Sequence, residues 1–293
     1  MGRIKTRRVI DYAVVIISVL IFMIPVLFTF TNSLLPPSEV KDRYTSEITS
    51  TNMDGFSSGN VHFVQISLLP LNSTLKQYES LLFNNPGYLR MFWNSVLILL
   101  PILAGQFIIA PLAAYGFEHI RFRFKEAIYF MYIVVMLMPM QLLLVPNYIT
   151  AGWLGIRDTY WAIILPAMLH PLGVFLIRQQ LKGFPRECEE AAYIDGASMF
   201  QTYRQIVRPN LSSVTAALMV LVFADNWNIV DQAVVFIKEM YRQPLSIYLG
   251  SLTAEMPDMY FAASFFYLIP AMLVFLLGQD HLTKGITLSS LKY

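Results

Sequence analysis

The sequence lacks several features that would mark an enzyme or a metalloprotein. Cys188 is the one cysteine among 293 residues, which excludes a disulfide within the chain and a cysteine-rich metal site. The four histidines stand far apart in sequence, and none forms a His-x-x-x-His pair. No G-x-x-x-x-G-K-[ST] phosphate-binding loop is present either. We therefore expect no catalytic residues, no metal and no cofactor bound by this chain, and an ATP-driven process would need a separate ATPase subunit.

Charged residues are also scarce, at 14% of the chain against about 25% in soluble domains. Hydrophobic residues make up 56%, and the mean hydropathy is +0.54. Six apolar runs reach the length of about 20 residues that a membrane-spanning helix needs. The sequence therefore predicts an all-α polytopic membrane protein that forms a single transmembrane domain over residues 1–293. The predicted spans are residues 9–31, 92–116, 127–146, 160–178, 211–235 and 259–279.

Basic residues are concentrated at alternate ends of the predicted spans. The apolar part of the first span, from Val9 to Phe30, is longer than the roughly 7–15 residues of a secretory signal, so an uncleaved helix is expected. Because cytoplasmic segments carry an excess of Lys and Arg, both termini are predicted to be cytoplasmic. The formal net charge of +2 then requires no nucleic-acid partner. The residues assigned to the cytoplasmic side are Arg3, Lys5, Arg7, Arg8, Arg121, Arg123, Lys125, Arg178, Lys182, Arg186, Arg204, Arg208, Lys284 and Lys292.

The longest polar segment, residues 32–90, lies between the first and second predicted spans and is assigned to the outside. Turn residues alternate there with an apolar stretch at 61–71, and residues 74–82 have a helical pattern. We interpret the segment as a small external cap that includes a short helix and has room for a short strand pair. Two roles fit this pattern, a docking surface for a solute-delivering protein or a spacer.

A polar motif interrupts the apolar pattern between the fourth and fifth predicted spans. It reads Glu-Glu-Ala-Ala-Tyr-Ile-Asp-Gly-Ala over residues 189–197 and is followed by Ile-Val-Arg-Pro over residues 206–209. Pro185 and the acidic residues after it favour a helix start, so a short helix is expected at about 185–195.

The second half of the motif predicts a turn and another helix. Gly196 permits the positive φ that ends a helix, and a second short helix is expected from about 197 to 208, limited by Pro209. Ala191 and Ala192 would leave one flank of this helical hairpin smooth enough to enter a groove on a partner.

The motif resembles the cytoplasmic coupling loop of permease subunits of ATP-driven (ABC) importers, particularly the maltose-type carbohydrate importers. Arg208 stands where that family usually has Leu, and Ser212-Ser213 stand where it often has Pro, so the detailed fit to an ATPase is expected to differ. Similarity extends to Asn94-Ser95, Ala113–Phe117, Phe175–Gln179, Trp227-Asn228 and Gly285–Leu288. The residues that carry the motif, and that the resemblance assigns to ATPase coupling, are Glu190, Ala191, Ala192, Asp195, Gly196, Ala197, Ile206 and Pro209.

The resemblance implies an ABC type I importer permease fold in a bacterial or archaeal cell membrane, with a coupling loop at 179–210 and a cytoplasmic tail at 280–293. It implies a second homologous permease, two ATPase subunits that bind ATP and magnesium, and an extracellular solute-binding protein as partners. The implied substrate is a sugar or oligosaccharide, with a non-sugar solute as the alternative. In the tail, the resemblance implies that Gly285, Ile286 and Thr287 contact the ATPases, whereas composition alone also fits a disordered end.

The fifth predicted span carries the polar residues expected to line the path of the solute. Asp225, Asn228 and Gln232 recur at i, i+3 and i+7 and would share one face, with Trp227 beside them and Asn226 and Asp231 flanking. An ionisable residue inside a membrane span usually faces a bundle interior or a water-filled cavity. Hydrogen bonds to the partner permease are the alternative role for these residues.

Two other classes of protein fit the sequence less well. An intramembrane enzyme would need paired catalytic groups within the spans, and no span carries a Ser/His, paired-Asp or metal arrangement at helical spacing. An ion-coupled secondary transporter would need acids inside the membrane, and Asp225 and Asp231 are the candidates. Inhibition of transport by vanadate separates that class from an ATP-driven importer.

Overall fold

The computed structural model describes residues 2–44, 72–255 and 257–290, and nearly all regular structure in these ranges is α-helical. Residues 45–71 of the predicted external cap, including the site of the suggested strand pair, lie outside the described residues. The helices are α1 Gly2–Ser33, α2 Pro37–Tyr44, α3 Lys76–Glu79, α4 Pro86–His119, α5 Lys125–Leu137, α6 Met140–Trp153, α7 Trp161–Met168, α8 Pro171–Leu181, α9 Glu187–Ile194, α10 Met199–Thr202, α11 Arg208–Asn210, α12 Ser212–Trp227, α13 Asp231–Phe236, α14 Leu245–Glu255 and α15 Pro257–Ser290.

The described helices account for all six predicted spans. Four stretches are long and apolar enough to cross a membrane, namely Asp11–Ser33, Pro86–His119, Trp161–Leu181 and Met259–Leu282. Two pairs of helices pass the same length and hydropathy criteria only when taken together, α5 with α6 at a bend of 113° and Met199–Asn210 with α12 at a bend of 71°, and they bring the number of spans to six if each bent pair is one span. The all-α polytopic prediction is confirmed, whereas the third and fifth spans are not the straight helices that the sequence predicted.

The third predicted span, 127–146, breaks between α5 and α6. Met138 precedes Pro139 and adopts extended backbone with φ −73° and ψ 134°. A residue before proline is pushed out of the α region by the proline ring, so the helix ends there and restarts at Met140.

The fifth predicted span, 211–235, ends early at Trp227. Asn228 leaves the helix with φ −99° and ψ 36°, and α13 begins again at Asp231. No proline or glycine marks this break. Trp227 is buried against Phe223, with ring centroids 5.5 Å apart and stacked, and Ile229 is buried as well. Tertiary packing of these side chains therefore overrides the helical pattern of the sequence.

The chain divides into two compact units, the first comprising residues 1–89 and 248–269. Within it, the fully buried Gln77 donates hydrogen bonds to the carbonyls of Asn32 (2.9 Å) and Leu35 (2.8 Å). Tyr88 donates to the carbonyl of Ala263 (2.8 Å). The helical pattern predicted at 74–82 is confirmed by α3 and the π-helical turn Ser80–Asn84 that follows.

The second unit comprises residues 90–247 and 270–293 and contains both regions of functional interest. Its buried core is apolar, and α8 packs against α5 and α12. Gly173 allows a close approach in this core, because a Cβ there would lie 2.4 Å from Oε1 of Gln106. Core residues include Ile98, Ile102, Ala114, Ile163, Val174, Ile177, Leu218, Ala233 and Ile237.

Asn94 and Ser95, which the sequence comparison with importers singled out, brace the segment after α13. Nδ2 of Asn94 donates to the carbonyls of Tyr241 (2.9 Å) and Gln243 (3.1 Å). Oγ of Ser95 accepts a hydrogen bond from the backbone N–H of Leu245 (2.9 Å). Because both side chains are buried, they satisfy backbone groups that would otherwise lack partners.

Candidate functional site

The polar motif folds into two short helical segments joined by a tight turn, and these segments, residues 187–210, form most of the coupling loop predicted at 179–210. Gly196 has φ 82° and ends α9, as the sequence predicted. The N–H of Ala197 bonds to the carbonyl of Ala192 (2.9 Å) and that of Gly196 to Tyr193 (3.1 Å). This pair of bonds is the Schellman arrangement, in which a left-handed glycine satisfies the last carbonyls of a helix.

The second segment starts at a reciprocal cap. The N–H of Gln201 donates to Oγ of Ser198 (3.4 Å), and the N–H of Ser198 donates to Oε1 of Gln201 (2.8 Å). Both bonds satisfy N–H groups that a helix start leaves free. The turn is therefore fixed from both sides by local hydrogen bonds.

The prediction that Pro209 limits the second helix was wrong. Helical backbone continues from α10 through the π-helical turn Tyr203–Val207 and through Pro209 to Asn210, and the bend follows at Leu211. Pro209 lies in the first turn of the short α11, where its missing N–H costs little.

The base of the coupling loop is anchored by a buried carboxylate. Glu189 is 4% exposed, and its Oε1 lies 2.8 Å from Nε2 of His119 in a polar contact that lacks hydrogen-bond alignment. Oη of Tyr115 donates to Oε2 of Glu189 at 3.4 Å. Tyr115 stacks on His119 at 4.4 Å and also packs against Tyr203. Both segments of the loop are thereby fastened to the C-terminal end of α4.

A second charged cluster lies where the chain enters the loop. Arg178, in the last turn of α8, is buried and pairs through Nε with Glu118 (3.2 Å) and through Nη2 with Glu126 (3.0 Å). Its guanidinium carbon lies 3.8 Å from the ring centroid of Tyr129. Arg186 reaches the other oxygen of Glu118 at 3.6 Å. Helices α4, α5 and α8 are thus joined at one end by a shared network.

The outward side of the coupling loop is apolar and exposed. Ile194 is 86% and Phe200 64% exposed, with Tyr193 and Met199 beside them. An exposed apolar cluster with a polar surround is typical of a protein interaction surface. We call these four residues the loop tip.

The residues that the sequence assigned to coupling divide between this surface and the interior. Ala192 is 7% exposed and packs inward, so the predicted smooth flank of Ala191 and Ala192 does not exist as one surface. Ala197 and Ile206 are half-buried. The exposed residues are Glu190, Ala191, Asp195, Gly196 and Pro209.

A polar cavity of about 250 Å³ lies where three pairs of helices break, at α5/α6, α7/α8 and α12/α13. Gln106 of α4 donates to the carbonyls of Ala167 (3.0 Å) and His170 (3.1 Å), which lie at the break between α7 and α8. Apolar side chains such as Met138 and Met140 complete the wall. The polar side chains that line the cavity are Gln106, His170, Asp225, Asn226 and Gln232.

The structure brings together only part of the predicted solute path. Asp225, Asn226 and Gln232 line the cavity, but the predicted shared helical face with Asn228 was wrong, because the helix ends at Trp227. Trp227 is buried, and Asn228 is exposed at the end of the helix and does not line the cavity. Asp231 is also outside the cavity wall and accepts a hydrogen bond from Nε2 of Gln141 (3.1 Å).

The predicted tail continues a helix, since α15 runs from Pro257 through the tail to Ser290. The backbone of Gly285, Ile286 and Thr287 lies in this helix, and their side chains lie outside the described residues. Among the described residues, no group of three or more His, Cys, Asp or Glu side chains is placed to hold a metal ion.

Comparison with known proteins decides the family. Residues 106–288 match the family model described as "Binding-protein-dependent transport system inner membrane component". The chain belongs to this family of transport permeases. It is thus a multi-pass membrane protein, consistent with the apolar helices described above.

Curated relatives of this permease come from several bacteria. It is 30% identical over 198 residues to the lactose transport system permease protein LacG of Rhizobium radiobacter, covering 67% of this chain and 72% of LacG. It is 27% identical over 217 residues to the arabinooligosaccharides transport system permease protein AraQ of Bacillus subtilis (strain 168), covering 72% and 76%. It is also 27% identical over 226 residues to the sn-glycerol-3-phosphate transport system permease protein UgpE of Brucella abortus (strain 2308), covering 75% and 73%.

Solved structures show the same fold. The permease matches a chain of a bacterial ABC transporter involved in the import of the acidic polysaccharide alginate with a TM-score of 0.75 and 17% identity, covering 93% of this chain and 95% of that one. A second match, with a TM-score of 0.58, 16% identity and coverage of 73% and 84%, is to that transporter in complex with an alginate pentasaccharide-bound periplasmic protein. The ABC importer permease fold predicted from the sequence is confirmed.

Sequence reasoning missed the residues that hold the site together. Glu189 was visible only as a helix-start carboxylate, and its contacts with Tyr115 and His119 join residues 70 or more positions apart. Arg178 was assigned to topology, although its burial makes it structural. Gln106 and His170 of the polar cavity gave no local signal beyond the proline that follows His170.

Proposed function

We propose that this permease subunit forms half of the translocation path of an ATP-driven importer for a sugar or oligosaccharide. It would pair with a second, homologous permease and with two ATPase subunits that bind ATP and magnesium. An extracellular solute-binding protein would deliver the solute. Both termini and the coupling loop would lie in the cytoplasm of a bacterial or archaeal cell, as the distribution of Lys and Arg favours.

The observation that carries this proposal is the contrast between the exposed loop tip and its buried base. The tip presents Ile194 and Phe200 to a partner, whereas Glu189 and Arg178 join the base to helices that continue into the membrane. A rigid element of this kind moves as one body, so it would transmit the displacement of a partner to the membrane helices. Closure of an ATPase dimer would thus shift the permease pair between inward-open and outward-open states, provided the tip fits the two ATPase states differently.

We propose that the eight residues assigned to coupling either contact the ATPase directly or hold the loop in shape. Glu190, Ala191 and Asp195 are exposed beside the loop tip and would contact the ATPase directly. Gly196 sets the turn, while Ala192 packs inward and supports the tip. Ala197, Ile206 and Pro209 shape the second segment.

The polar cavity supports a neutral, hydroxylated solute over a phosphorylated one. Its described wall carries amide and imidazole groups and Asp225, but no Lys or Arg. Sugars need paired hydrogen-bond donors and acceptors, which Gln106, Asn226 and Gln232 provide. A phosphate ester would meet the carboxylate of Asp225 with no Lys or Arg in the described wall to compensate it. This distinguishes the expected substrate from sn-glycerol 3-phosphate, the solute named for the UgpE relative.

The test uses the purified complex reconstituted in proteoliposomes with ATP inside and binding protein outside. Uptake of labelled maltose, lactose, an arabino-oligosaccharide and sn-glycerol 3-phosphate would be measured with and without vanadate. We expect ATP-dependent, vanadate-sensitive uptake of one of the sugars. Uptake that follows an ion gradient and ignores ATP would instead establish a secondary transporter.

Variants of the loop tip test the partner surface separately. Phe200→Asp places a carboxylate in the exposed apolar cluster and should abolish recovery of the ATPase in a pull-down. Gln205→Asp adds the same charge at an exposed polar position of the second segment and serves as the control. Equal ATPase recovery with both variants would contradict the assignment of the tip.

The tail is the second ATPase contact in this proposal. α15 extends to Ser290, so the backbone of residues 285–287 is ordered as helix and can present a surface to a partner. Deleting residues from Lys284 onward should lower the ATPase rate that the binding protein stimulates. An unchanged ATPase rate in reconstituted complexes would contradict the proposed contact between the tail and the ATPases.

A further inference from the structure

A large apolar cavity lies apart from the proposed solute path. It has a volume of about 960 Å³, is open on one side, is bordered by α4, the end of the coupling loop, α12 and the later part of α15, and shares no lining residue with the polar cavity. Few hydroxyl groups line this cavity, so the hydroxyl groups of a sugar would lack hydrogen-bond partners there. Much of the wall is formed by Leu100, Leu103, Phe107, Met219, Phe223 and Leu277.

The wall of this cavity is apolar along α4 and carries basic side chains from the coupling loop and from α15. On α4 it extends from Leu100 to Pro111, about 16 Å at roughly 1.5 Å per residue. That is about half of the roughly 30 Å hydrocarbon core, the depth of a single lipid leaflet. Arg204, Arg208 and His281 all lie at the end that the proposed topology places at the cytoplasmic surface.

The two arginines also border a second, smaller cavity. This cavity, of about 260 Å³, is lined by Phe107, Arg204 and Arg208 together with Ile108 and Leu112 of α4 and with Tyr203 and the loop-tip residue Phe200. The guanidinium carbon of Arg208 lies 5.1 Å from the ring centroid of Phe107, which separates the two cavities. The arginine pair therefore stands at the junction of two apolar cavities.

These arginines have no acidic partner within the described part of the chain. Neither Arg204 nor Arg208 has a carboxylate within ion-pair distance there, and the described walls of both cavities contain no Asp or Glu. Arg178 and Arg186, in contrast, are both paired with Glu118. The cationic end is thus open to an anion supplied from outside the chain.

We infer that this site holds one anionic phospholipid of the cytoplasmic leaflet, with its phosphate at Arg204 and Arg208. The acyl chains occupy the large cavity. Basic pockets between membrane helices on the cytoplasmic side are known to bind anionic headgroups, and the apolar depth matches a single leaflet. The assignment of leaflet rests on the proposed orientation of the permease.

The site would place a lipid against the hinge of the coupling loop. Arg204 and Arg208 lie between the loop tip and the 71° bend that leads into α12. A bound headgroup would hold the two arginines together and oppose changes of that bend. Lipid composition would thereby set the rate at which the coupling loop moves.

The experiment measures lipids retained by the full complex. The complex is inserted into nanodiscs with equal amounts of phosphatidylglycerol and phosphatidylcholine, released, and examined by native mass spectrometry. We expect one retained phosphatidylglycerol per copy of this chain. Arg204→Gln with Arg208→Gln should reduce that retention roughly 30-fold, since two basic contacts near the membrane surface are lost.

The control pair is Arg121→Gln with Arg123→Gln, which removes the same charge from two exposed residues outside both cavities. Ala104→Trp fills the large cavity and should displace the lipid while leaving both arginines in place. Retention that falls equally in the control pair, or does not fall in the Arg204/Arg208 pair, would overturn the inference.

A photocrosslinking residue in place of Leu103 distinguishes the lipid from a protein occupant. Crosslinks to phospholipid support the inference, and crosslinks to a helix of the second permease overturn it. None of these readouts requires transport or ATP hydrolysis. If phosphatidylglycerol is retained but no sugar is taken up, the lipid site is supported and the proposed function is contradicted. If sugar is taken up but no phosphatidylglycerol is retained, the proposed function is supported and the lipid site is contradicted.

Discussion

The coupling loop and the polar cavity are built in opposite ways. The loop exposes apolar side chains at its tip, at Ile194 and Phe200, and buries Glu189 at its base, near the buried Arg178 of α8. The cavity is lined by polar side chains such as Gln106 and Asp225, and it lies next to the helix breaks beside His170 and after Trp227. The loop therefore has an exposed apolar surface on a fixed base. The cavity, in contrast, has an accessible polar surface next to backbone that is not regular helix.

This difference indicates how each region can work. A buried ion network resists deformation, because separating one partner leaves an uncompensated charge. Helix breaks concentrate unpaired backbone groups, and these are tolerated in a membrane protein only where protein or water satisfies them. We infer that the loop transmits movement as a rigid body and that the cavity is the region that changes shape.

The largest expected effect is at Arg178. Arg178→Ala should destabilise the base by about 3–5 kcal/mol, because Glu118 would lose its buried partner. Glu126→Gln is the matched comparison and should cost little, since the Glu126 side chain is 73% exposed. Thermal unfolding of the purified complex measures both. Similar melting temperatures for the two variants would mean that the base is not a rigid foundation.

The contact between Glu189 and His119 is expected to contribute less. Single variants Glu189→Ala and His119→Ala should each lower stability by about 1–3 kcal/mol, and the double variant should cost less than the sum. A double-mutant cycle of unfolding free energies gives the coupling directly. Additive costs would show that the 2.8 Å contact between the two side chains carries no energy.

The turn at Gly196 tests the loop without touching its base. Gly196→Val should strain the turn by roughly 1–2 kcal/mol, because a β-branched residue is penalised at φ 82°. Sugar uptake should fall while the complex still assembles. Gly196→Asn should restore uptake, since Asn adopts this backbone conformation more readily. Loss of assembly in the Val variant would mean that the turn serves folding instead.

The smallest effects are expected in the polar cavity. Asp225→Asn and Gln232→Ala each remove a polar group from the wall and should lower sugar uptake by about 2- to 12-fold, the range of one hydrogen bond. Asn228→Ala is the control, because Asn228 lies outside the wall. Initial uptake rates in proteoliposomes measure all three. A larger loss with Asn228→Ala would restore the helical face predicted from the sequence.

The two regions also differ in how far the sequence predicts them. The turn of the coupling loop depends on neighbouring residues, so Gly196 and the acidic helix start were sufficient to place it. The break after Trp227 depends on packing against Phe92 and Phe223, which periodicity alone does not reveal. The helical pattern therefore predicted a face containing Asn228 that does not exist.

The long-range contacts of the base could not be predicted from the sequence either. The side chains that anchor Glu189 come from the end of α4, and Arg178 pairs with residues from two other helices. The spans themselves were predictable, because their length and hydropathy are set by the membrane. Pro139 marked the break in the third span and was visible in the sequence, but proline within a membrane helix does not always end it, as α4 and Pro101 show.

The most direct test of the account is the number of sugar molecules taken up per ATP hydrolysed, measured in the same proteoliposomes for the wild type and for Glu189→Ala. If the buried base transmits movement of the loop tip, Glu189→Ala should keep ATPase binding and hydrolysis while uptake per ATP falls by about tenfold, the equivalent of about 1.4 kcal/mol. An unchanged ratio, with uptake and hydrolysis falling together or not at all, would contradict the central claim.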